Sequence, residues 1–213
     1  MSLGVYLVTD RRLSEPHGVT EVVRAAVAAG VGVVQLRDKL ADVEALVRTL
    51  ADLDEAIEGR ALLLVNDHLE AAIEARRRGV HLDGVHLGQG DAGPLTAREA
   101  LGGDAVVGLT ANTREQVAAA GLLPAGAVDY LGVGVIHPTS TKADHPAALG
   151  VAGFAALAAA TPLPCVAIGG VTEPDVAPLR RAGAAGVAVV SAICAAPDPA
   201  GAARTLVAAW NAP

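Results

Sequence analysis

Gln35, Arg37 and Lys39 stand at alternate positions near the end of an apolar run. An extended backbone points alternate side chains to one side, so a carboxamide, a planar guanidinium and a flexible ammonium would face one ligand. That trio suits a polyanion such as a diphosphate, although taken alone it also fits an ordinary solvated strand end. Two acids, Asp67 and Asp91, follow the next two apolar runs. Brought together they would suit Mg2+, whose octahedral oxygen shell is completed by waters and phosphate; taken singly, Asp67 could simply cap a helix. Gly169-Gly170 and the backbone at Val190 and Ser191 offer a neutral phosphate site built from amides, or else a plain turn. Thr139, Thr141 and Lys142 make a hydroxyl-rich loop that could close over a ligand or stay solvated. One cationic, metal-assisted locus and one backbone-built locus suggest a reaction joining a diphosphate ester to a phosphate ester. No Ser-His-Asp or Cys-His arrangement points to a protein nucleophile.

These residues need a frame that gathers them. Short β-branched runs alternate with Ala-rich segments of helical period. The strands are expected at Val5–Val8, Val33–Leu36, Ala61–Val65, Val85–Leu87, Ala105–Leu109, Tyr130–Val133, Cys165–Ile168 and Val187–Val190. Helices are expected at about Val19–Ala29, Val43–Ile57, Leu69–Arg77, Thr96–Leu101, Arg114–Gly121, Val151–Ala159, Pro174–Ala182 and Pro199–Trp210. Gly30, Gly59, Gly79 and Gly183 follow helices, and Thr113 and Thr172 stand where N-caps belong. Continuous apolar strands with helices between them imply a parallel sheet covered on its outer face. Eight such units in 213 residues predict an α/β fold, a single (β/α)8 TIM barrel with eight parallel strands over 1–213. A doubly wound open sheet is the rival, but strand 1 runs into Thr9-Asp10-Arg11-Arg12 with no glycine fingerprint. In a barrel the loops after the strands form the active face, and there lie Asp10, the Gln35–Lys39 segment, Asn66-Asp67, Gly88–Asp91, Thr110-Ala111-Asn112, His137–Lys142, Gly169-Gly170 and Ser191.

Composition narrows the class further. Hydrophobic residues make up 52% of the chain and aromatics 2%, so the core must be aliphatic. A net charge of −7, four aromatics and no basic run longer than Arg76-Arg77-Arg78 argue against nucleic acid as partner. No apolar run reaches the roughly 18 residues that span a bilayer, and the N-terminus lacks signal-peptide features. Cys165 and Cys194 lie in or beside apolar runs, as reduced buried thiols would. The expectation is a cytoplasmic enzyme acting on small molecules, with a homo-oligomer left open.

The motifs "YLVTD", "QLRDK", "VNDH", "GVHLGQGD", "HPTSTK", "VAIGGV" and "VVSAI", in this order at strand ends, make the chain resemble the thiamine phosphate synthase family over nearly its whole length. The resemblance implies Mg2+-dependent coupling of hydroxymethylpyrimidine diphosphate with hydroxyethylthiazole phosphate, giving thiamine phosphate and diphosphate. It implies that Gln35, Arg37, Lys39 and Asn66 bind the pyrimidine diphosphate and that Asp67 and Asp91 hold the metal. Lys142 matches a diphosphate-contacting lysine, Thr110 a serine that contacts the pyrimidine, and His86 a histidine of the same pocket. Thr139 and Thr141 match the thiazole phosphate pair, completed by Gly169 or Gly170 with Val190 and Ser191. Arg37, Lys39 and Lys142 would neutralise charge as diphosphate leaves, the aminopyrimidine carrying the resulting cation until the thiazole nitrogen attacks.

The chain departs from that pattern in places. Thr110 replaces the serine, Asn112 stands where histidine is frequent, and Gly90 where an acid is usual. The largest departure is a repeat: Gly79-Val80-His81-Leu82-Asp83 is followed at once by Gly84-Val85-His86-Leu87-Gly88. It lengthens the interval from Asp67 to Asp91 by one copy relative to the family. If the second copy is the strand, the extra residues fall before it, on the stability face, where insertions cost little. Val85–Leu87 is therefore assigned to the strand and Asp91 to the metal, leaving His81 and Asp83 without a catalytic role. The alternatives are a thiazole tautomerase-like isomerase, which uses a histidine near the end of strand 5, a non-catalytic ligand-binding barrel, and a sugar-phosphate isomerase or aldolase.

Overall fold

The computed structural model describes residues 3–139 and 147–213. The first half of the chain forms β1 (Gly4–Val8), α1 (Val19–Ala28), β2 (Val33–Leu36), α2 (Val43–Ile57), β3 (Leu62–Asn66), α3 (Leu69–Arg77), β4 (Gly84–Leu87) and α4 (Pro94–Leu101). The second half forms β5 (Val106–Thr110), α5 (Arg114–Gly121), β6 (Tyr130–Gly134), α6 (Gly150–Ala158), β7 (Cys165–Ile168), α7 (Glu173–Arg181), β8 (Gly186–Val189), α8 (Ser191–Cys194) and α9 (Pro199–Asn211). The strands pair in parallel and in chain order, and β8 closes on β1. The fold is the expected (β/α)8 barrel.

Two aliphatic cores hold it together. The larger lies between strands and helices, where Leu46, Leu50, Leu53 and Ile57 form one stripe of α2 and share a cluster with Val34, Leu63 and Val85. Burying each such side chain contributes about 1.5–3 kcal/mol. The smaller fills the barrel interior and includes Val8, Val33, Leu64, Val166 and Ala188, with Tyr6 and Tyr130 among them. Both cysteines are free and buried, as expected, and burial pushes the Cys165 thiol up to about 11.

Local chemistry explains the boundaries. Thr113 caps α5 by accepting the Gln116 amide, and Gly30, Gly59, Gly79 and Gly183 all take positive φ after their helices. Helix α4 begins two residues earlier than expected, because Pro94 fits the first helical position, where no N–H is needed. β3, β5 and β8 are shifted by one residue relative to their expected spans. Helix α8 is an addition: four residues are too few to show a helical period.

The second GVHL copy is the strand. Gly84 pairs with Leu64 on one side and Val106 on the other. A Cβ there would lie 1.9 Å from the Val106 carbonyl oxygen, so only glycine allows the approach. The first copy crosses the opposite end of the barrel from the active-face loops, where the Arg76 guanidinium donates to the carbonyls of Leu82, Leu101 and Asp83 at 2.7, 2.6 and 2.9 Å. Among the described residues no helix is long and apolar enough to cross a membrane.

Candidate active site

A cavity of about 310 Å³ opens at the C-terminal ends of the strands. Its walls include Gln35, Arg37 and Lys39 from β2 and its loop, Asn66 and Asp67 from β3 and its loop, His86 and Asp91 from β4 and its loop, and Thr110 from β5. Thr139, Gly169, Gly170, Val190 and Ser191 complete the far side. Thr141 and Lys142 lie outside the described residues.

On the cationic side, the alternation of Gln35, Arg37 and Lys39 survives past the end of β2, and all three reach the cavity. The end of β1 positions them. The Thr9 amide donates to the Gln35 carbonyl at 2.9 Å, and the Thr9 hydroxyl accepts the Arg37 amide at 3.0 Å. Behind the guanidinium, Asp10 Oδ2 stands 3.9 Å from Arg37 Nη1 and steadies its charge.

The two acids converge on Gly88. Asp91 Oδ2 accepts the Gly88 amide at 2.8 Å, and a Cβ at Gly88 would come within 2.7 Å of that oxygen and 3.9 Å of Asp67 Oδ1. Asp67 adopts φ 63 and donates its amide to the His86 carbonyl at 2.8 Å, which turns its side chain out of the helix-capping position. The cap residue of α3 is instead His68, which makes no side-chain cap bond. Burial, a hydrogen bond shared with Asp91 and the charge of Asp91 push the Asp67 carboxyl above its ordinary value. An Asp67 carboxyl that is costly to ionise beside a second carboxylate suits a divalent cation, so the donor set fits Mg2+. Among the described residues no group of three or more His, Cys, Asp or Glu gathers to hold a metal. A cation here would need oxygens from water or ligand.

At the other end, Gly169 and Gly170 turn with φ 93 and 68. Cβ atoms there would lie 2.5 Å from Val135 Cβ and 2.9 Å from His137 Cβ, so this turn packs tightly under the β6–α6 loop. His137 Nε2 meets Asp175 Oδ1 at 2.8 Å, while Asp175 Oδ2 accepts the Thr172 amide at 2.9 Å, the reach-back limb of a capping box. One carboxylate thus ties the loop that carries Thr139 to the start of α7. Val190 and Ser191 enter α8 directly beside this turn's cavity wall.

Sequence reasoning missed two residues of the cavity floor. Tyr6 and Tyr130 reach across the barrel from β1 and β6 with hydroxyls 2.9 Å apart. Gln35 Nε2 lies 2.5 Å from the Tyr6 hydroxyl, and His86 bridges the Tyr130 hydroxyl and Thr110 Oγ1 at 2.9 and 3.0 Å. Glycines make room for the rings: a Cβ at Gly108 would lie 2.2 Å from Tyr130 Cζ and 2.5 Å from His86 Nδ1. The available signal was that the chain's two tyrosines both fall on otherwise aliphatic strands. Asn112 Oδ1 accepts the Gly134 amide at 3.1 Å, so this position serves as a backbone brace.

Against known proteins, the family model for thiamine monophosphate synthase matches residues 5–193. The chain belongs to the thiamine monophosphate synthase family. It is 44% identical to the thiamine-phosphate synthase of Psychrobacter sp. (strain PRwf-1) over 207 residues, covering 97% of this chain and 95% of that one. It is 47% identical to that of Xanthobacter autotrophicus over 208 residues, with 97% and 95% covered. A thiamine phosphate pyrophosphorylase from Pyrococcus furiosus has a solved structure that superposes with a TM-score of 0.81 at 28% identity, covering 96% of this chain and 93% of that one. Membership in the thiamine monophosphate synthase family makes the chain an enzyme, a transferase.

Proposed function

We propose that the cavity couples hydroxymethylpyrimidine diphosphate to hydroxyethylthiazole phosphate, releasing diphosphate and forming thiamine phosphate. The observation that carries this reading is the convergence of Asp67 and Asp91 on Gly88 in the same cavity as Arg37 and Lys39. A sugar-phosphate isomerase acts on a single phosphate ester, which would leave Gln35, Arg37, Lys39 and the Asp pair unexplained beside the glycine turn.

In this reading Asp67 and Asp91 hold Mg2+, which when bound neutralises charge on the leaving diphosphate. Arg37 and Lys39 bind the same diphosphate, joined by Asn66 and by Lys142, and stabilise the charge that develops as the C–O bond breaks. Gln35, His86 and Thr110 seat the pyrimidine, whose amino-substituted ring carries the transient positive charge. Thr139, Thr141, Gly169, Gly170, Val190 and Ser191 hold the thiazole phosphate, so that the thiazole nitrogen attacks the carbon that diphosphate leaves. Burial of the cavity floor excludes water from that carbon. Positioning and electrostatics supply the rate, with no protein nucleophile. A cytoplasmic setting suits phosphorylated small-molecule substrates.

The test is product formation from both substrates with Mg2+ and with chelator, in the wild type and in Asp91→Ala. Mg2+-dependent coupling that is lost in Asp91→Ala supports the proposal. Activity that survives the substitution removes Asp91 from the metal. Binding of both ligands without coupling would move the protein to an isomerase or a non-catalytic binder.

A further inference from the structure

The five side chains on the cavity floor form one continuous chain of hydrogen bonds: Gln35 Nε2 to Tyr6, Tyr6 to Tyr130, Tyr130 to His86 Nδ1, and His86 Nε2 to Thr110 Oγ1. It draws on strands β2, β1, β6, β4 and β5, so no local element accounts for it. We propose that Tyr6 and Tyr130 are positioning residues that give this chain a single direction, fix His86 as the neutral Nε2–H tautomer, and make the two ends of the ligand-binding floor opposite in character. This deepens the proposed function, because Gln35 and Thr110 are the groups that would seat the pyrimidine.

The direction follows from counting protons. Each phenol has one proton to give, and burial raises both Tyr6 and Tyr130 above the usual tyrosine value, so both remain neutral. Gln35 Nε2 faces Tyr6 and can only donate, so Tyr6 accepts there. Among the described residues the Tyr6 hydroxyl has one other partner, Tyr130, which must take its proton. Tyr130 is then left to donate to His86 Nδ1 at 2.9 Å. The proton on neutral His86 must be at Nε2, where it is donated to Thr110 Oγ1 at 3.0 Å. A proton on Nδ1 would force Tyr130 to donate back to Tyr6, leaving the Tyr6 proton buried without an acceptor, an expensive arrangement.

The ends follow. With Nε2 committed to Tyr6, Gln35 presents its carbonyl oxygen as an acceptor to the cavity. With Oγ1 accepting from His86, Thr110 presents its hydroxyl proton as a donor. A planar heteroaromatic ring with a donor edge near Gln35 and an acceptor edge near Thr110 is matched at both. A ring with that pattern reversed meets two clashes of like character. Turning over the Gln35 amide would reverse every bond at once, so neither end can change alone.

The experiment is nitrogen-15 NMR of the histidine-labelled protein without substrates, with the His86 signals assigned by their loss in His86→Asn. The expected wild-type signature is an unprotonated Nδ1 and a protonated Nε2. In Tyr130→Phe the single-tautomer signature should give way to a mixture, whereas in Tyr6→Phe, which leaves the Tyr130 proton no acceptor but Nδ1 among the described residues, it should persist. A wild-type His86 protonated at Nδ1, or at both nitrogens, overturns the proposal, as does a signature unmoved in Tyr130→Phe. If the variants do not fold, the wild-type spectrum still decides the direction. Since no substrate is present, failure of the coupling assay would leave this result untouched.

Discussion

Asp83 Oδ2 accepts the backbone amide of Leu63 at 2.7 Å, and the Asp83 carbonyl accepts that of Val106 at 2.8 Å. The first copy of the repeat therefore stitches three strands together at the end of the barrel remote from the cavity. Eight residues later, Asp91 lines the cavity beside Asp67. Similar sequence in tandem thus serves two places: the first copy braces the remote end of the barrel, and the second leads into the cavity wall.

Asp83→Ala should leave the Leu63 amide without its partner and lower stability by about 1–3 kcal/mol. Urea unfolding would read this as a lower midpoint, while Mg2+-dependent coupling per folded molecule stays at the wild-type level. Asp91→Ala, on an exposed loop, should do the reverse: little change in midpoint and loss of coupling.

Gly108→Ala should be far worse than its size suggests. Its Cβ would overlap Tyr130 and His86 in a packed interior, and overpacking of this kind costs about 1–3 kcal/mol. Displacement of His86 should also reduce affinity for the pyrimidine substrate beyond what the stability loss explains. Gly103→Ala, whose Cβ would meet nothing within 4 Å, is the matched control and should stay within about 0.5 kcal/mol of wild type. Equal behaviour of the two variants would discount the close packing at the floor.

Acid should loosen the clasp at His137 and Asp175. Burial by itself raises the Asp175 carboxyl, but the hydrogen bonds with His137 and with the Thr172 amide and hydroxyl outweigh it and hold it below its ordinary value. A lowered folded-state value means stability that is full above the unfolded value, about 3.9, and is lost as the pH falls through the folded value. Asp175→Asn should cost about 1 kcal/mol at pH 7 through the weakened cap and show a shallower decline below about pH 4. Urea midpoints at pH 7 and pH 3 would test it; parallel curves for the two proteins would contradict it.

How far the sequence reveals all this depends on the range of the interaction. The strands are legible because parallel barrel strands are buried on both faces and read as apolar runs; Val33–Leu36 and Cys165–Ile168 match the structure residue for residue. The Gln35–Arg37–Lys39 side is legible because alternation is a local property. The meeting of Asp67 with Asp91 is legible once the barrel sets neighbouring strands side by side. Tyr6 and Tyr130 are not legible as partners, since their bond spans 124 residues of chain and no pattern near either announces it. The same holds for His137 and Asp175, which are joined only because the β6–α6 loop folds over the start of α7. Helix α8 escapes notice because four residues carry no period.

The last prediction concerns the acids in the absence of metal. A carboxyl whose folded-state value is raised, as that of Asp67 is by burial and by Asp91, contributes stability that is present below the unfolded value and is lost as the pH rises through the folded one. At neutral pH the chelated protein should therefore carry an unfavourable pair at Gly88. Asp67→Asn removes the charge but keeps the shape, so in chelator it should unfold at a higher temperature than the wild type. Mg2+ at about 100 times its dissociation constant should stabilise the wild type by about 2.7 kcal/mol and leave Asp67→Asn nearly unmoved. Thermal unfolding of both proteins, with and without Mg2+, gives the four values needed. A wild type that ignores Mg2+ while Asp67→Asn gains nothing in chelator would mean that the two carboxylates neither repel strongly nor share a cation.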